Sequence, residues 1–178
     1  MKILIASDIH GSAHCTEKLR ERFIAEKGDK LILLGDVYNH GPRNPFPEEY
    51  APQTVAEILN GLKDKLIVVK GNCDSDVDTL ISDFDFVDNT VIIVGNKTVF
   101  CTHGHIYNKD NLPATRFDAV VYGHFHTGFI ERKNGVVVAN SGSISLPKND
   151  TPRSYLVLDG EKLTLKTLDG EIIKEENI

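Results

Sequence analysis

The sequence predicts an α/β fold in a single domain, residues 1–178, with a mixed sheet or sandwich, and three observations support it. The 178 residues amount to about one domain. In the first two-thirds, short continuous apolar runs alternate with helical patterns, which is typical of parallel strands covered by helices. The last third contains repeated tight-turn signals between apolar runs. We therefore expect parallel strands first and antiparallel strands afterwards.

The first half of the chain predicts a strand–helix–strand–helix–strand order. Buried strands are predicted over residues 2–7, 30–34 and 66–70. Residues 14–27 predict the first helix, with Ser12 as its N-cap and Gly28 as its stop. Residues 54–62 carry apolar side chains at helical spacing and predict the second helix. This order implies parallel pairing through right-handed crossovers.

The later strands are predicted from hairpin turns and apolar runs. They are expected over residues 91–94, 98–102, 119–122, 128–133, 136–140, 154–158, 162–167 and 171–174. The dipeptides Asn134-Gly135, Asp159-Gly160 and Asp169-Gly170 indicate tight turns between them. We expect this carboxyl third to be an antiparallel meander. Residues 38–52 hold four of the seven prolines and predict a surface loop.

The composition argues against several classes of protein. With 20 basic and 26 acidic residues, the net charge is −6, which argues against a nucleic-acid partner or an anionic membrane surface. No apolar run approaches the length of a membrane span, and the amino-terminal residues do not form a signal peptide. Three cysteines without a CxxC motif favour a reducing compartment. We therefore expect a cytoplasmic protein with no membrane partner.

Five predicted strands end in side chains of the kind that bind metals. Taken alone, an Asp or Asn at such a place is more readily explained as a helix cap or turn former. Ligands of α/β sheets, however, bind beyond the carboxyl ends of the strands, and seven such residues gather there. The sequence therefore predicts a metal site formed by Asp8, His10, Asp36, Asn72, His103, His124 and His126.

The ligand types restrict the metal. Imidazole, carboxylate and amide oxygen without thiolate suit Mn, Fe, Ni, Co or Zn, and argue against an iron–sulfur cluster or a closed structural zinc site. Seven ligands are more than one tetrahedral ion needs. Two ions that share one bridging carboxylate would use them all.

In order along the chain, these residues resemble the motifs of the calcineurin-like metallophosphoesterase superfamily: Asp8-x-His10, Gly35-Asp36, Gly71-Asn72, His103-Gly104-His105 and Gly123-His124-x-His126. The short length, GNCD at 71–74 and NSGS at 140–143 resemble its small bacterial and archaeal phosphodiesterase branch, the YfcE type. The resemblance covers residues 8–143. It implies a four-layer α/β/β/α sandwich with mixed sheets.

The resemblance also implies the role of each ligand. Asp8, His10, Asp36 and His126 would hold one metal, while Asp36, Asn72, His103 and His124 would hold the second. The implied function is a dinuclear-metal-dependent phosphodiesterase, a phosphoric diester hydrolase that cleaves small phosphodiesters by in-line attack of a metal-bridging hydroxide. Asp36 and Asn72 would then be catalytic as well. We expect two divalent ions, with manganese as first choice and Ni, Fe, Co or Zn as alternatives.

Cys73 departs from the family pattern, since many members have histidine there as a general acid. A thiol protonates a leaving alkoxide less well and offers no cation. We therefore expect either a preference for acidic leaving groups or a replacement donor, for which His105 is the nearest residue in sequence. A small packed residue beside the site is the simpler interpretation of Cys73. Asp74 is expected to orient a ligand histidine or to cap the following short helix.

Other functions stay open at this point. A non-catalytic scaffold, similar to the retromer subunit built on this fold, would not need all seven ligand positions. A nuclease of the double-strand-break repair type is disfavoured by the short chain and the negative charge. A monoesterase is disfavoured because no cation that could bind a dianion is evident near the motifs. By analogy with the small branch we expect a homodimer or homotetramer.

Overall fold

The computed structural model describes residues 1–178 and contains two sheets with twelve strands in all. The strands are β1 (Lys2–Ala6), β2 (Lys30–Leu33), β3 (Leu66–Val69), β4 (Phe86–Val87), β5 (Thr90–Val94), β6 (Lys97–Cys101), β7 (Ala119–Tyr122), β8 (Phe129–Lys133), β9 (Val136–Asn140), β10 (Ser154–Asp159), β11 (Lys162–Thr167) and β12 (Ile172–Asn177). The helices are α1 (Ala13–Ala25) and α2 (Pro52–Asn60), and two 3-10 turns lie at Lys63–Lys65 and Asp76–Leu80.

The first sheet has the order β12-β11-β10-β1-β2-β3-β4. Strands β1 to β4 pair in parallel, and β10 adds to β1 in antiparallel orientation. Helices α1 and α2 bury their apolar faces against one side of this sheet, as the period of the sequence predicts. Helix α1 begins where the Ser12 side chain accepts a hydrogen bond from the amide of Cys15, so the predicted N-cap is confirmed.

The second sheet has the order β5-β6-β7-β9-β8. Its three central strands are parallel, and the edge strands β5 and β8 are antiparallel to their neighbours. Apolar side chains from both sheets meet in a buried cluster that includes Ile5, Ile32, Val121 and Leu156. The predicted α/β fold with two mixed sheets is therefore confirmed.

The outer face of the second sheet is covered without a helix. Phe100, Val120, Tyr122 and Val138 on this face are packed under the irregular segment 103–118, which contributes aromatic and aliphatic side chains such as Phe117. The fourth layer of the sandwich is thus a long loop in this chain. A loop lacks the fixed geometry of a helix, and its side chains reach one end of the sheet where the candidate site lies.

The antiparallel meander predicted for the carboxyl third is only partly correct. Strands β10, β11 and β12 do form one, but β9 pairs in parallel with β7 in the other sheet. The chain crosses between sheets after β9, because the apolar face of β10 completes the first sheet beside β1. None of the helices has the length and apolar character needed to cross a membrane.

Candidate metal centre

The carboxyl ends of the parallel strands of both sheets meet at one place. Strands β1, β2 and β3 lead into Asp8 and His10, Asp36, and Asn72, while β6 and β7 lead into His103 and into His124 and His126. All seven predicted ligands therefore gather there. Five of these side chains belong to buried residues, and only Asn72 and His124 reach the surface.

The first group of donor atoms comes from Asp8, His10 and His126. Their donor atoms lie within 4.8 Å of one another, and all three residues are buried. Asp8 Oδ1 lies 3.3 Å from His126 Nε2 and 3.7 Å from His10 Nε2. This buried oxygen has no hydrogen-bond partner within the protein. A buried carboxylate oxygen without a partner is unfavourable, so the group has the properties of a cation site.

The second group comes from Asp36, His103 and His124, whose donor atoms again lie within 4.8 Å of one another. Asp36 Oδ2 lies 3.5 Å from His103 Nε2 and 3.7 Å from His10 Nε2 of the first group. Asp36 therefore stands between the two groups. This is the position expected from the sequence for a bridging carboxylate.

Hydrogen bonds to backbone carbonyls determine which ring nitrogens carry protons in the first group. His10 Nδ1 donates to Asn39 O at 2.7 Å, and His126 Nδ1 donates to Leu146 O at 2.6 Å. In the neutral rings both Nε2 atoms are therefore bare, and they face each other at 3.2 Å. Two opposed lone pairs repel unless a cation lies beside them.

The second group shows the same arrangement. His103 Nδ1 donates to Leu34 O at 2.7 Å, which leaves its Nε2 bare. This atom lies 3.0 Å from Asn72 Oδ1 and 3.2 Å from His124 Nδ1. The Asn72 amide nitrogen donates to Cys73 Sγ, so its oxygen is the atom turned towards the centre. Within each group, the acceptor atoms of different side chains therefore face one another. The residues of each group fit a divalent cation.

Burial favours the neutral form of two of the predicted ligand histidines, His10 and His124, whereas at His126 burial is outweighed by the Asp8 carboxylate, which raises the pKa of that ring. Burial lowers the pKa of His10 below its ordinary value, and it lowers the pKa of His124 to about 4 with a further contribution from His103. Neutral imidazole is the form that binds metal ions. The chemistry of the donor set is therefore compatible with divalent metals at neutral pH.

Five of the seven predicted ligands adopt left-handed backbone conformations. Their φ angles are 57° for Asp8, 51° for His10, 55° for Asp36, 63° for His124 and 59° for His126. A non-glycine residue seldom adopts this conformation, and such residues are concentrated at functional sites. The sharp turns at the strand ends aim these side chains back across the edges of the sheets.

Close backbone packing explains a glycine that precedes a ligand. A Cβ atom added at Gly71 would lie 2.2 Å from Asp36 Oδ1 and 2.4 Å from the Asp36 amide nitrogen. The turns after β2 and β3 therefore touch each other without room for a side chain. The Cys73 amide also donates to Asp36 Oδ1 at 2.8 Å.

Asp74 ties the same two turns together. Its buried carboxylate accepts hydrogen bonds from the amides of Asp36, Val37 and Gly71, at 2.7–2.8 Å. Burial raises the pKa of this carboxyl to about 6, against these hydrogen bonds. The expectation that Asp74 orients a ligand histidine or caps the next helical turn is wrong. The carboxylate accepts hydrogen bonds from three backbone amides instead, and Ser75 caps the 3-10 turn that follows.

Cys73 faces the metal centre. Its Sγ lies within 4.8 Å of donor atoms of His10 and Asp36. Burial, followed by the neighbouring Asp36, raises the pKa of this thiol to about 12. The side chain therefore lies where the family histidine is expected, as a neutral thiol.

His105 lies at the rim. The residue is exposed, and its ring centroid is 5.4 Å from that of His103 and 6.3 Å from that of His124. It does not line the cavity over the metal centre. A group at this distance reaches a leaving group only if that group projects out towards the rim.

A cavity of 650 Å³ opens over the centre, and its lining includes Asp36, Asn72, Cys73 and two cations, Arg43 and Lys148. The sequence predicts no such cation near the motifs, and this expectation is wrong. Arg43 comes from the 38–52 loop and Lys148 from the segment after β9, and neither forms an ion pair. No local pattern in the sequence marks them, since only the fold brings them to the cavity.

The chain is similar to known proteins over nearly its whole length. The family model described as the calcineurin-like phosphoesterase superfamily domain matches residues 1–163. Phosphodiesterase YfcE of Escherichia coli strain K12 is 43% identical over 175 residues, which are 97% of this chain and 95% of that protein. The probable metallophosphoesterase YsnB of Bacillus subtilis strain 168 is 30% identical over 182 residues, with 95% and 91% covered.

A solved structure gives the same result. The structure described as that of Yfce, a phosphoesterase from E. coli, superimposes with a TM-score of 0.96 at 42% identity, and both chains are covered completely. The matched span contains all seven predicted ligand positions, and the structural likeness extends over both sheets. This chain belongs to the calcineurin-like phosphoesterase superfamily.

Proposed function

We infer that this chain is a metal-dependent phosphodiesterase, and we propose that it acts on small phosphodiesters through a centre that holds two divalent ions. The observation that carries the proposal is the pair of donor groups with Asp36 between them. The 43% identity to a phosphodiesterase over nearly the whole chain supports the reaction class. When bound, two such ions supply Lewis-acid activation of water and neutralise phosphoryl oxygens.

The residues of the chain have distinct roles in this proposal. Asp8, His10 and His126 would hold one ion, His103, His124 and Asn72 would hold the other, and Asp36 would contribute to both. Asp74 and the Gly71 turn keep Asp36 in position through the amide contacts described above. Arg43 and Lys148 place positive charge beside the bound diester. Manganese remains our first choice of metal, and nickel, iron, cobalt and zinc suit the same donors.

Departure of the leaving group is the least assisted step. Cys73 supplies neither a cation nor an effective acid beside the cavity. We propose that the enzyme prefers diesters with acidic leaving groups, and that the imidazolium form of His105 donates a proton where the leaving group extends to the rim. Burial lowers the pKa of His105, so this donation should weaken as the pH rises to neutrality. A His105→Ala variant is expected to slow hydrolysis of alkyl esters more than that of p-nitrophenyl esters.

The proposal is tested by hydrolysis of bis(p-nitrophenyl) phosphate and of the monoester p-nitrophenyl phosphate. Chelated protein is reloaded with Mn, Ni, Zn or Mg before each assay. We expect metal-dependent activity that favours the diester and is lost in Asp36→Asn and His124→Ala. His14→Ala, which removes a histidine from the amino-terminal turn of α1, is the matched control and should keep full activity. A folded protein that is inactive with every metal would favour the scaffold instead.

Two further predictions belong to this proposal. We propose a cytoplasmic location, which the three free cysteines support. We also propose a homodimer or homotetramer, which light scattering coupled to size-exclusion chromatography measures directly. A monomer at micromolar concentration would refute that part of the proposal without affecting the reaction.

A further inference from the structure

A second cavity lies beside the metal centre. It has a volume of 390 Å³, and His124 and Lys148 line both this cavity and the one over the metal centre. A phosphodiester carries two substituents on one phosphorus atom. When the phosphoryl group lies at the centre, the shared wall leads one of these arms into the second cavity. We call this cavity the side subsite.

The side subsite has aromatic walls that are held in place. Phe125 and Phe129 line it, and both rings pack edge-on against Tyr122, with centroids 5.5 and 6.0 Å away. Tyr122 itself is completely buried. These walls favour a ligand with a planar ring, because stacked or edge-to-face contacts between rings stabilise the complex. Since the walls are already held in place, they lose little conformational freedom when the ligand binds.

The charge of the side subsite is positive. Lys109 and Lys148 line it, and none of its lining residues is acidic. Neither lysine forms an ion pair, although the whole chain carries a net charge of −6. The Lys109 ammonium lies 5.5 Å from the centroid of the Phe129 ring, at the aromatic wall. The lining therefore favours a ligand that is both aromatic and anionic.

We propose that the side subsite binds one arm of the diester substrate, and that this arm carries a planar aromatic ring and a negative group beyond the scissile phosphate. A nucleoside unit with a second phosphate has this chemistry. The ring packs along Phe125 and Phe129, while Lys109 and Lys148 bind the additional anionic group. This inference rests on the proposed phosphodiesterase function and specifies the substrate class of that site.

The test compares three chromogenic diesters on the manganese-loaded protein. The p-nitrophenyl ester of thymidine 3′,5′-bisphosphate, esterified at its 5′-phosphate, has the aromatic arm and the additional anion. The p-nitrophenyl ester of thymidine 5′-phosphate lacks only the additional anion, and methyl p-nitrophenyl phosphate has neither an aromatic arm beside the leaving group nor an additional anion. We expect kcat/KM to be at least about tenfold higher for the first ester than for the second, since one charge-assisted hydrogen bond of about 1.4 kcal/mol corresponds to a factor of ten.

Variants of the side subsite identify the cause of that preference. Lys109→Gln should lower the ratio of the first two esters about tenfold, and added salt should lower it in the unaltered protein. Phe129→Leu should reduce hydrolysis of both thymidine esters relative to methyl p-nitrophenyl phosphate, which has no aromatic arm for the side subsite. Lys27→Gln removes an exposed, unpaired lysine just after α1 and should leave every ratio unchanged. A ratio that Lys109→Gln does not alter would overturn the proposal.

A binding measurement separates this proposal from the proposed function. Titration calorimetry with thymidine 3′,5′-bisphosphate follows occupancy of the side subsite without hydrolysis, and Lys109→Gln should weaken binding about tenfold. Lysine-dependent binding by a protein that cleaves no diester would overturn the phosphodiesterase function and support the side subsite. Diester cleavage with binding that is independent of Lys109 would overturn the side subsite alone.

Discussion

Replacement of Gly71 by alanine is expected to disable the metal centre while the fold persists. The added Cβ would lie 2.2 Å from Asp36 Oδ1 and 2.4 Å from the Asp36 amide nitrogen. Non-bonded heavy atoms stay about 3.5 Å apart, so the Asp36 turn has to move by about 1 Å. Gly71 has no left-handed φ, so the effect is steric and not a matter of backbone conformation.

The size of the effect follows from this displacement. Forced overpacking costs about 1–3 kcal/mol of unfolding free energy, and each kcal/mol lowers Tm by about 2–4 °C in a chain of this size. Misplacement of a reacting group by about 1 Å costs about 100-fold in rate. We therefore expect a folded Gly71→Ala protein with Tm lowered by about 3–10 °C and kcat for bis(p-nitrophenyl) phosphate reduced about 100-fold.

The matched control is Gly61→Ala at the carboxyl end of α2. Gly61 has φ −63° and ψ −16°, and a Cβ there would approach its nearest neighbour, Ile58 O, only to 3.3 Å. The same substitution should leave both Tm and kcat nearly unchanged. Calorimetry and steady-state kinetics measure the two quantities on one preparation. A Gly71→Ala enzyme with the kcat of the unaltered protein would refute the close contact as the reason for this glycine.

Three further predictions concern metals, the leaving group and stability. Manganese added at about 100 times its Kd should raise the Tm of chelated protein by about 5–10 °C, from about 2.7 kcal/mol of linkage, and Asp36→Asn should abolish most of this shift. Cys73→His should increase kcat/KM for diesters with alkyl leaving groups more than for p-nitrophenyl esters, and equal effects on both would contradict the proposed role. Burial raises the pKa of Glu26, but Lys166, Tyr155 and Lys2 together outweigh burial and hold that pKa below its ordinary value. The Glu26 carboxylate therefore stabilises the fold above about pH 4.5, and this contribution disappears as the pH falls. Urea denaturation should show that Glu26→Gln costs about 1 kcal/mol at pH 7 and less at pH 3, whereas an equal cost at both would refute the ion pair as its origin.

The candidate site was more predictable from the sequence than the fold around it. Asp8, Asp36 and Asn72 follow strands whose apolar runs are continuous, so their positions at one edge of a parallel sheet follow from strand direction alone. Helix α1 was also predictable, because Ser12 and the spacing of Leu19 and Phe23 are local signals.

The features that the sequence did not predict depend on contacts between distant segments. The pairing of β9 with β7 instead of β10 is decided by which apolar faces complete each sheet, and hairpin signals do not contain this information. Arg43 and Lys148 are 105 positions apart, and they share a cavity because both segments pass over the same strand ends. The partners of the Asp74 carboxylate were predicted wrongly for a similar reason, since two of its three amide partners lie in the turn after β2.

The left-handed backbone at five ligand residues has a consequence for protein engineering. Each such residue carries about 1 kcal/mol of conformational energy, so the group holds about 5 kcal/mol, which is comparable to the whole stability of a small domain. A library selected only for heat resistance would therefore favour glycine at these positions. Every such variant would lack a metal-binding side-chain atom. The selection would therefore yield an inactive protein with the same fold. Directed evolution of this chain should select for turnover in every round.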